Sequence, residues 1–126
     1  MEDVEKTTGG KYSVPHFDSK GRISDYFKQL NVPLTEVALA MYMENFATYC
    51  KPRPNSEGVY EVALPLDDKP VDLIYTSGDL GGIVSWVFDN PKEALGKFYG
   101  LAGDSLTGEQ IAATYEKGEK SMFVQF

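Results

Sequence analysis

The 126-residue chain is predicted to be an α/β protein on three observations. Stretches with apolar residues at three- and four-residue spacing alternate with short apolar runs typical of strands. At the front of the first long helical pattern, His16-Phe17-Asp18-Ser19-Lys20 places an imidazole and an ammonium four residues apart, on one helix face and within reach of one ligand. Beyond the first strand pattern stands Tyr42-Met43-Glu44-Asn45-Phe46, at the carboxyl end where open α/β sheets bind ligands.

Each element follows from its local pattern. Residues 1–15 read as an acidic lead-in with a turn at Gly9-Gly10. From Phe17 to Leu30 the helical period is clean: Ile23, Tyr26, Phe27 and Leu30 make one stripe. His16, Lys20, Ile23 and Phe27 share a face, so the ionic pair is expected to head a buried stripe. Asp18 and Ser19 suit the positive end of the helix dipole, and Asn31-Val32-Pro33 ends the element. Leu34 to Leu39 reads as a buried strand, and residues 40–50 as a loop or short helix after it. Pro52, Pro54, Asn55 and Gly58 mark a surface excursion.

Val59 to Leu64 and Val71 to Thr76 carry strand signals, with a turn at Asp67-Asp68-Lys69-Pro70 between them. A helix is predicted from Gly78 to Asp89, capped by Ser77 or Asp79, with Leu80, Ile83, Val84 and Val87 on its apolar face and Asn90-Pro91 as its stop. Lys97 to Ala102 reads as a short strand. A final helix is expected over Asp104 to Lys117, with a capping box at Thr107-Gly108-Glu109-Gln110. Periodicity then vanishes, so residues 1–117 are expected to form the domain and 118–126 a loose tail.

Composition narrows the function. A net charge of −7 without any Lys or Arg run disfavours direct nucleic-acid binding, which depends on cationic side chains releasing counterions. Basic protein surfaces or small ligands fit better. Cys50 is the only cysteine, which excludes an internal disulfide and favours a reducing compartment; a buried, inert thiol is its plainer reading. The amino terminus lacks an apolar signal region, and the longest apolar stretch, near Ile83 to Phe88, is too short to span a bilayer. A soluble, cytoplasmic protein is expected, with a nuclear location left open. No residue set is read as a metal site.

Two readings of the ionic pair stay open: a ligand grip, with the Lys20 stem packed and its ammonium on sugar hydroxyls, or a solvated helix face. The Tyr42–Phe46 segment suits a flat heteroaromatic ring, or is simply a half-buried connector.

As a set, His16-Phe17-Asp18-Ser19-Lys20, Val32-Pro33-Leu34-Thr35, Tyr42-Met43-Glu44-Asn45-Phe46, Gly78-Asp79-Leu80-Gly81 and Leu101-Ala102-Gly103-Asp104-Ser105-Leu106-Thr107 resemble the NmrA-like proteins, atypical short-chain dehydrogenase/reductases. The resemblance covers about residues 1–117 and is nearest to the animal redox sensors. It implies the C-terminal part of a Rossmann-type NAD(P)-binding fold with a small substrate or partner subdomain, its first βαβ half missing. It also implies an NADP(H) site with Lys20 on the nicotinamide ribose and Tyr42, Met43, Glu44 and Asn45 beside the nicotinamide, His16 and Phe46 being further candidates.

His16 occupies the place of the superfamily's catalytic tyrosine, and Ala38 and Ala40 stand where the family usually has Arg and Pro. No catalytic residue is assigned. The expectation is a redox-sensing regulator that acts through protein partners, with self-association open. The alternatives are an NADPH-dependent reductase of the quinone or isoflavone-reductase type, or a truncated product without function. Because no glycine-rich phosphate loop precedes His16, the chain alone is expected to bind NADP(H) weakly or not at all. Gly78-Asp79-Leu80-Gly81-Gly82 is no replacement for that loop.

Overall fold

The computed structural model of the chain describes residues 2–62, 64 and 69–118, and the backbone of residues 124 and 125. The contacts separate two units. One comprises the residues up to Ala38 together with Trp86–Tyr99, the other Leu39–Ser85 together with the residues from Gly100 onward.

In the first unit the lead-in is not all loop. The Asp3 side chain accepts the Lys6 N–H at 3.0 Å, so Val4–Thr7 closes as a one-turn helix, α1. Gly9 and Gly10 follow at φ 61° and 82°, a left-handed pair that reverses the chain at no steric cost. Helix α2 spans Pro15–Gln29 and opens on a proline, whose missing N–H would have been unpaired there anyway.

Asp18 lies in the first turn of α2, but its role is larger than the dipole argument anticipated. It is 2% exposed. Oδ1 accepts the N–H groups of Val4 (2.7 Å) and Glu5 (3.1 Å), and Oδ2 accepts the Val14 N–H (2.7 Å) and the Ser13 hydroxyl (2.9 Å). One carboxylate thereby satisfies N–H groups at the starts of both helices. Gly21 permits the close approach: a Cβ there would lie 2.6 Å from the Asp3 nitrogen.

Around this staple Arg22 pairs with Asp3 at 3.1 Å and with Glu5, Lys6 with Asp25 at 2.6 Å, and Lys28 with Glu36 at 2.7 Å. The expected burial of the α2 stripe is corrected: Ile23, Tyr26, Phe27 and Leu30 are 55%, 59%, 41% and 51% exposed. His16 and Lys20 at the head of that face are exposed as well.

Strand β1 (Glu36–Leu39) is half-buried rather than buried. It belongs to a two-stranded sheet with β6 (Phe98–Leu101), and within the first unit Glu36 N–H donates to the Lys97 carbonyl at 2.9 Å. The short helix α4 (Pro91–Ala94) and the edge-to-face rings of Trp86 and Tyr99, 6.0 Å apart, complete that unit.

In the second unit β2 (Met41–Tyr42) runs parallel to β5 (Val71–Ile74), with Met41 opposite Leu73 and Tyr42 opposite Ile74. Strand β7 (Asp104–Leu106) lies antiparallel on the other side of β5, with Val71 opposite Leu106 and Leu73 opposite Asp104. This corrects the expectation of a helix from Asp104: the first three residues are claimed by the β5 edge, and α5 starts at Gly108 and runs to Gly118. The capping box is present, with Gln110 N–H on Thr107 Oγ1 at 3.3 Å and Thr107 N–H on Gln110 Oε1 at 2.8 Å.

The excursion after Cys50 contains a hairpin. Strand β3 (Arg53–Pro54) pairs antiparallel with β4 (Tyr60–Glu61), while Asn55 Oδ1 accepts the N–H groups of Glu57 (2.9 Å) and Val59 (3.0 Å). Of the strand expected over Val59–Leu64, only Tyr60–Glu61 forms β4, and Asp67 and Asp68 of the expected turn lie outside the described residues. Of the tail, residues 119–123 and 126 also lie outside them, whereas β8 (Val124–Gln125) pairs parallel with β4.

Leu73, Ile74 and Ile111 are buried in this unit, and Val62 and Ala112 form a buried cluster with Phe46, Cys50, Tyr60, Leu64 and Tyr115 packed around them. Helix α3 (Thr76–Asp89) begins here, with Leu80, Ile83, Val84 and Val87 half-buried. Among the described residues no helix is long and apolar enough to cross a membrane.

Candidate functional site

Tyr42 ends β2, and the next five residues, Met43–Ala47, wind into a 3₁₀ helix. Side chains three apart eclipse one another in a 3₁₀ turn. Met43 and Phe46 accordingly line the same cavity, of about 680 Å³, while Glu44 takes another direction.

Glu44 Oε1 accepts three hydrogen bonds, from the Thr76 hydroxyl (2.8 Å), the Ser77 N–H (2.7 Å) and the Ser77 hydroxyl (2.8 Å). The cap on α3 expected from Ser77 or Asp79 therefore comes instead from a residue 33 positions earlier. A carboxylate at a helix amino terminus is favoured by the dipole and by the unpaired N–H groups. The Ser77 N–H is the chief cause that holds the Glu44 carboxyl at about 2, below the ordinary 4.5, against an opposing effect of burial. Oε2 is buried and has no hydrogen-bond partner among the described residues.

Asn45 contributes its carbonyl to the turn, accepting from Thr48 N–H (3.0 Å) and Cys50 N–H (2.8 Å), and no described residue hydrogen-bonds its side-chain amide. Tyr42 is 41% exposed. The far wall of the cavity is fixed by α5: the Tyr115 hydroxyl donates to the Phe46 carbonyl at 3.0 Å, and the two rings meet edge to face at 6.2 Å. Burial raises the Tyr115 hydroxyl above its ordinary 10.0.

Lys20 belongs to the first unit, on α2. It is exposed, and its ammonium has no hydrogen bond or ion pair among the described residues. The His16 ring lies against Phe17, with centroids 4.4 Å apart. The Tyr42–Phe46 segment is thus gathered in the second unit, while Lys20 and His16 stand on one helix of the first. Asp3, Glu5 and Asp18 also converge, but Arg22 and the backbone N–H groups already occupy them.

Sequence reasoning missed the Glu44 cap and the Asp18 staple, because both act across long chain separations. The cavity left a fainter local signal: Ile111, Thr114, Tyr115 and Gly118 fall at helical spacing along its α5 wall.

These features define a mixed α/β chain with a ligand-sized cavity beside a 3₁₀ turn. The sequence matches the NmrA-like family over residues 1–124, and the chain belongs to that family. A crystal structure of Nmra, a negative transcriptional regulator, in complex with NAD is similar at 24% identity and a TM-score of 0.81, covering 99% of this chain and 40% of that one. The same regulator in complex with NADP matches at 21% identity and a TM-score of 0.76, covering 95% and 39%. A nucleoside-diphosphate-sugar epimerase from Staphylococcus aureus matches at 22% and 0.69, covering 87% and 38%. The chain spans about 40% of the length of these solved structures and has the Rossmann-type fold of NmrA over that stretch.

Proposed function

We propose that this chain contributes the nicotinamide-side residues of an NADP(H)-binding regulatory protein, which acts by changing protein partners and not as a reductase. The observation that carries the reading is membership of the NmrA-like family over residues 1–124, with structural neighbours in complex with NAD and NADP.

Of the candidate site residues, the Lys20 ammonium and the Asn45 side-chain amide have no hydrogen-bond partner among the described residues, and the Tyr42 ring is exposed. In the proposal Lys20 holds the ribose hydroxyls, while Tyr42 and Asn45 face the nicotinamide. Glu44 and Met43 hold the turn in place, the first through the start of α3 and the second through the cavity wall. His16 and Phe46 are further candidates. Bound NADP(H) would supply hydride chemistry, but an imidazole in the tyrosine's place is a poor source of the proton that carbonyl reduction needs. That supports sensing over turnover.

The test is calorimetric. In the longest natural polypeptide that carries this sequence, Lys20→Ala is expected to weaken NADPH binding by about 1–3 kcal/mol, the scale of a hydrogen bond to a charged group. An unchanged Kd removes Lys20 from the site. The isolated 126-residue chain is expected to bind NADPH weakly or not at all, since dinucleotide affinity comes largely from phosphates on a glycine-rich loop it does not contain. NADPH oxidation driven by added quinone would favour a reductase instead.

A further inference from the structure

The cavity of the second unit extends from Met43 and Phe46 to Lys51, Ile111 and Tyr115, which the nucleotide reading does not use. Its volume of about 680 Å³ lies within the range of small-molecule pockets. Its walls are mainly apolar and aromatic, with Met43 and Phe46 from the 3₁₀ turn, Leu73 from β5, and Ile111 and Tyr115 from α5. Leu73 and Ile111 are each 3% exposed, and the Tyr115–Phe46 hydrogen bond ties two walls together, so the space is held open by packed elements.

Two charged side chains line it, and they differ. Asp104 already accepts the Ser105 N–H at 2.8 Å, whereas Lys51 has neither a hydrogen bond nor an ion pair among the described residues. Lys51 is therefore the cationic group of a mainly apolar space, without a partner among the described residues.

We propose that this cavity binds a flat aromatic monocarboxylate, its ring body among Met43, Phe46, Ile111 and Tyr115 and its carboxylate on the Lys51 ammonium. A ring suits walls that offer aromatic faces and edges and a polarisable thioether. The anion is selected by Lys51, and Asp104 disfavours a second negative group. The cavity shares Met43 and Phe46 with the proposed nucleotide site, and a titration without nucleotide reads the cavity alone, so its failure is distinguishable from failure of the nucleotide reading.

The probes are 2-naphthoate and its uncharged isostere 2-naphthamide, titrated into the 126-residue chain without nucleotide while the Met43 and Ile111 methyl resonances are followed by NMR. Naphthoate is expected to shift both methyls and to bind about fivefold tighter than the amide, the scale of an ion pair at a solvent-accessible lysine. Lys51→Gln should bring the two probes to equal affinity. Thr114→Trp, at an exposed α5 position on the cavity wall, should abolish both responses by filling the space.

Equal affinities in the unaltered chain would mean a neutral occupant and overturn the anion assignment. Methyl resonances that do not move, or binding that survives Thr114→Trp, would overturn the site itself.

Discussion

Asp18 in the first unit and Glu44 in the second both cap a helix to which they do not belong, yet they are satisfied differently. Asp18 is buried and commits both oxygens, taking three N–H groups and one hydroxyl. Glu44 commits one oxygen to three donors at the start of α3 and leaves the other without a partner among the described residues. A fully satisfied buried acid fixes structure and has nothing left for a ligand. Glu44 also fixes a turn, but that turn carries the candidate ligand residues, so its structural and functional duties meet in one place.

Substitution should separate the two. Asp18→Ala leaves the Val4, Glu5 and Val14 N–H groups without their acceptor and is expected to give the largest fall in Tm by circular dichroism. A fall no larger than that of Glu44→Ala would dismantle the contrast. Next comes Gly21→Ala, which puts a Cβ 2.6 Å from the Asp3 nitrogen and is expected to cost about 1–3 kcal/mol in chemical denaturation. Wild-type stability in that variant would show that α1 yields without loss. Glu44→Ala should cost less than Asp18→Ala, because Ser77 is exposed and water can replace the lost acceptor. Glu44→Gln should cost least, since an amide oxygen still accepts the Ser77 N–H.

Acid sharpens the comparison. Burial opposes the charged form of Asp18, but the N–H groups of Glu5, Val14 and Val4 and the Ser13 hydroxyl outweigh it and hold the group below its ordinary 3.8. Glu44 is held at about 2. Both folded-state values are depressed, so each contribution is present above the ordinary carboxylate value and is lost as pH falls through the folded one. The Tm advantage of wild type over Glu44→Gln should hold at neutral pH and shrink between 4.5 and about 2. A difference independent of pH over that interval would remove the charge from the account.

Local chemistry was readable because its partners are near in the chain. The Thr107–Gln110 box, the course of α2 and the glycine reversal at Gly9-Gly10 each depend on contacts within a few residues. The five-residue segment at Tyr42 was recognisable as a unit for the same reason, although its 3₁₀ winding was not. The strand at Asp104–Leu106 defeated the helical pattern because β5 offers it a ladder of hydrogen bonds, a partner more than thirty residues away.

What the sequence determined by itself is the alternation of helices and strands, the family and the candidate residues, since periodicity and motif spacing are properties of the chain. Tertiary structure alone decided that Asp18 is buried and Glu44 caps α3, that the α2 stripe is left about half exposed, and that Met43 and Phe46 share a cavity with α5. Those outcomes depend on which backbone groups are left unpaired and which faces find a neighbour, and only the folded chain brings such distant groups together.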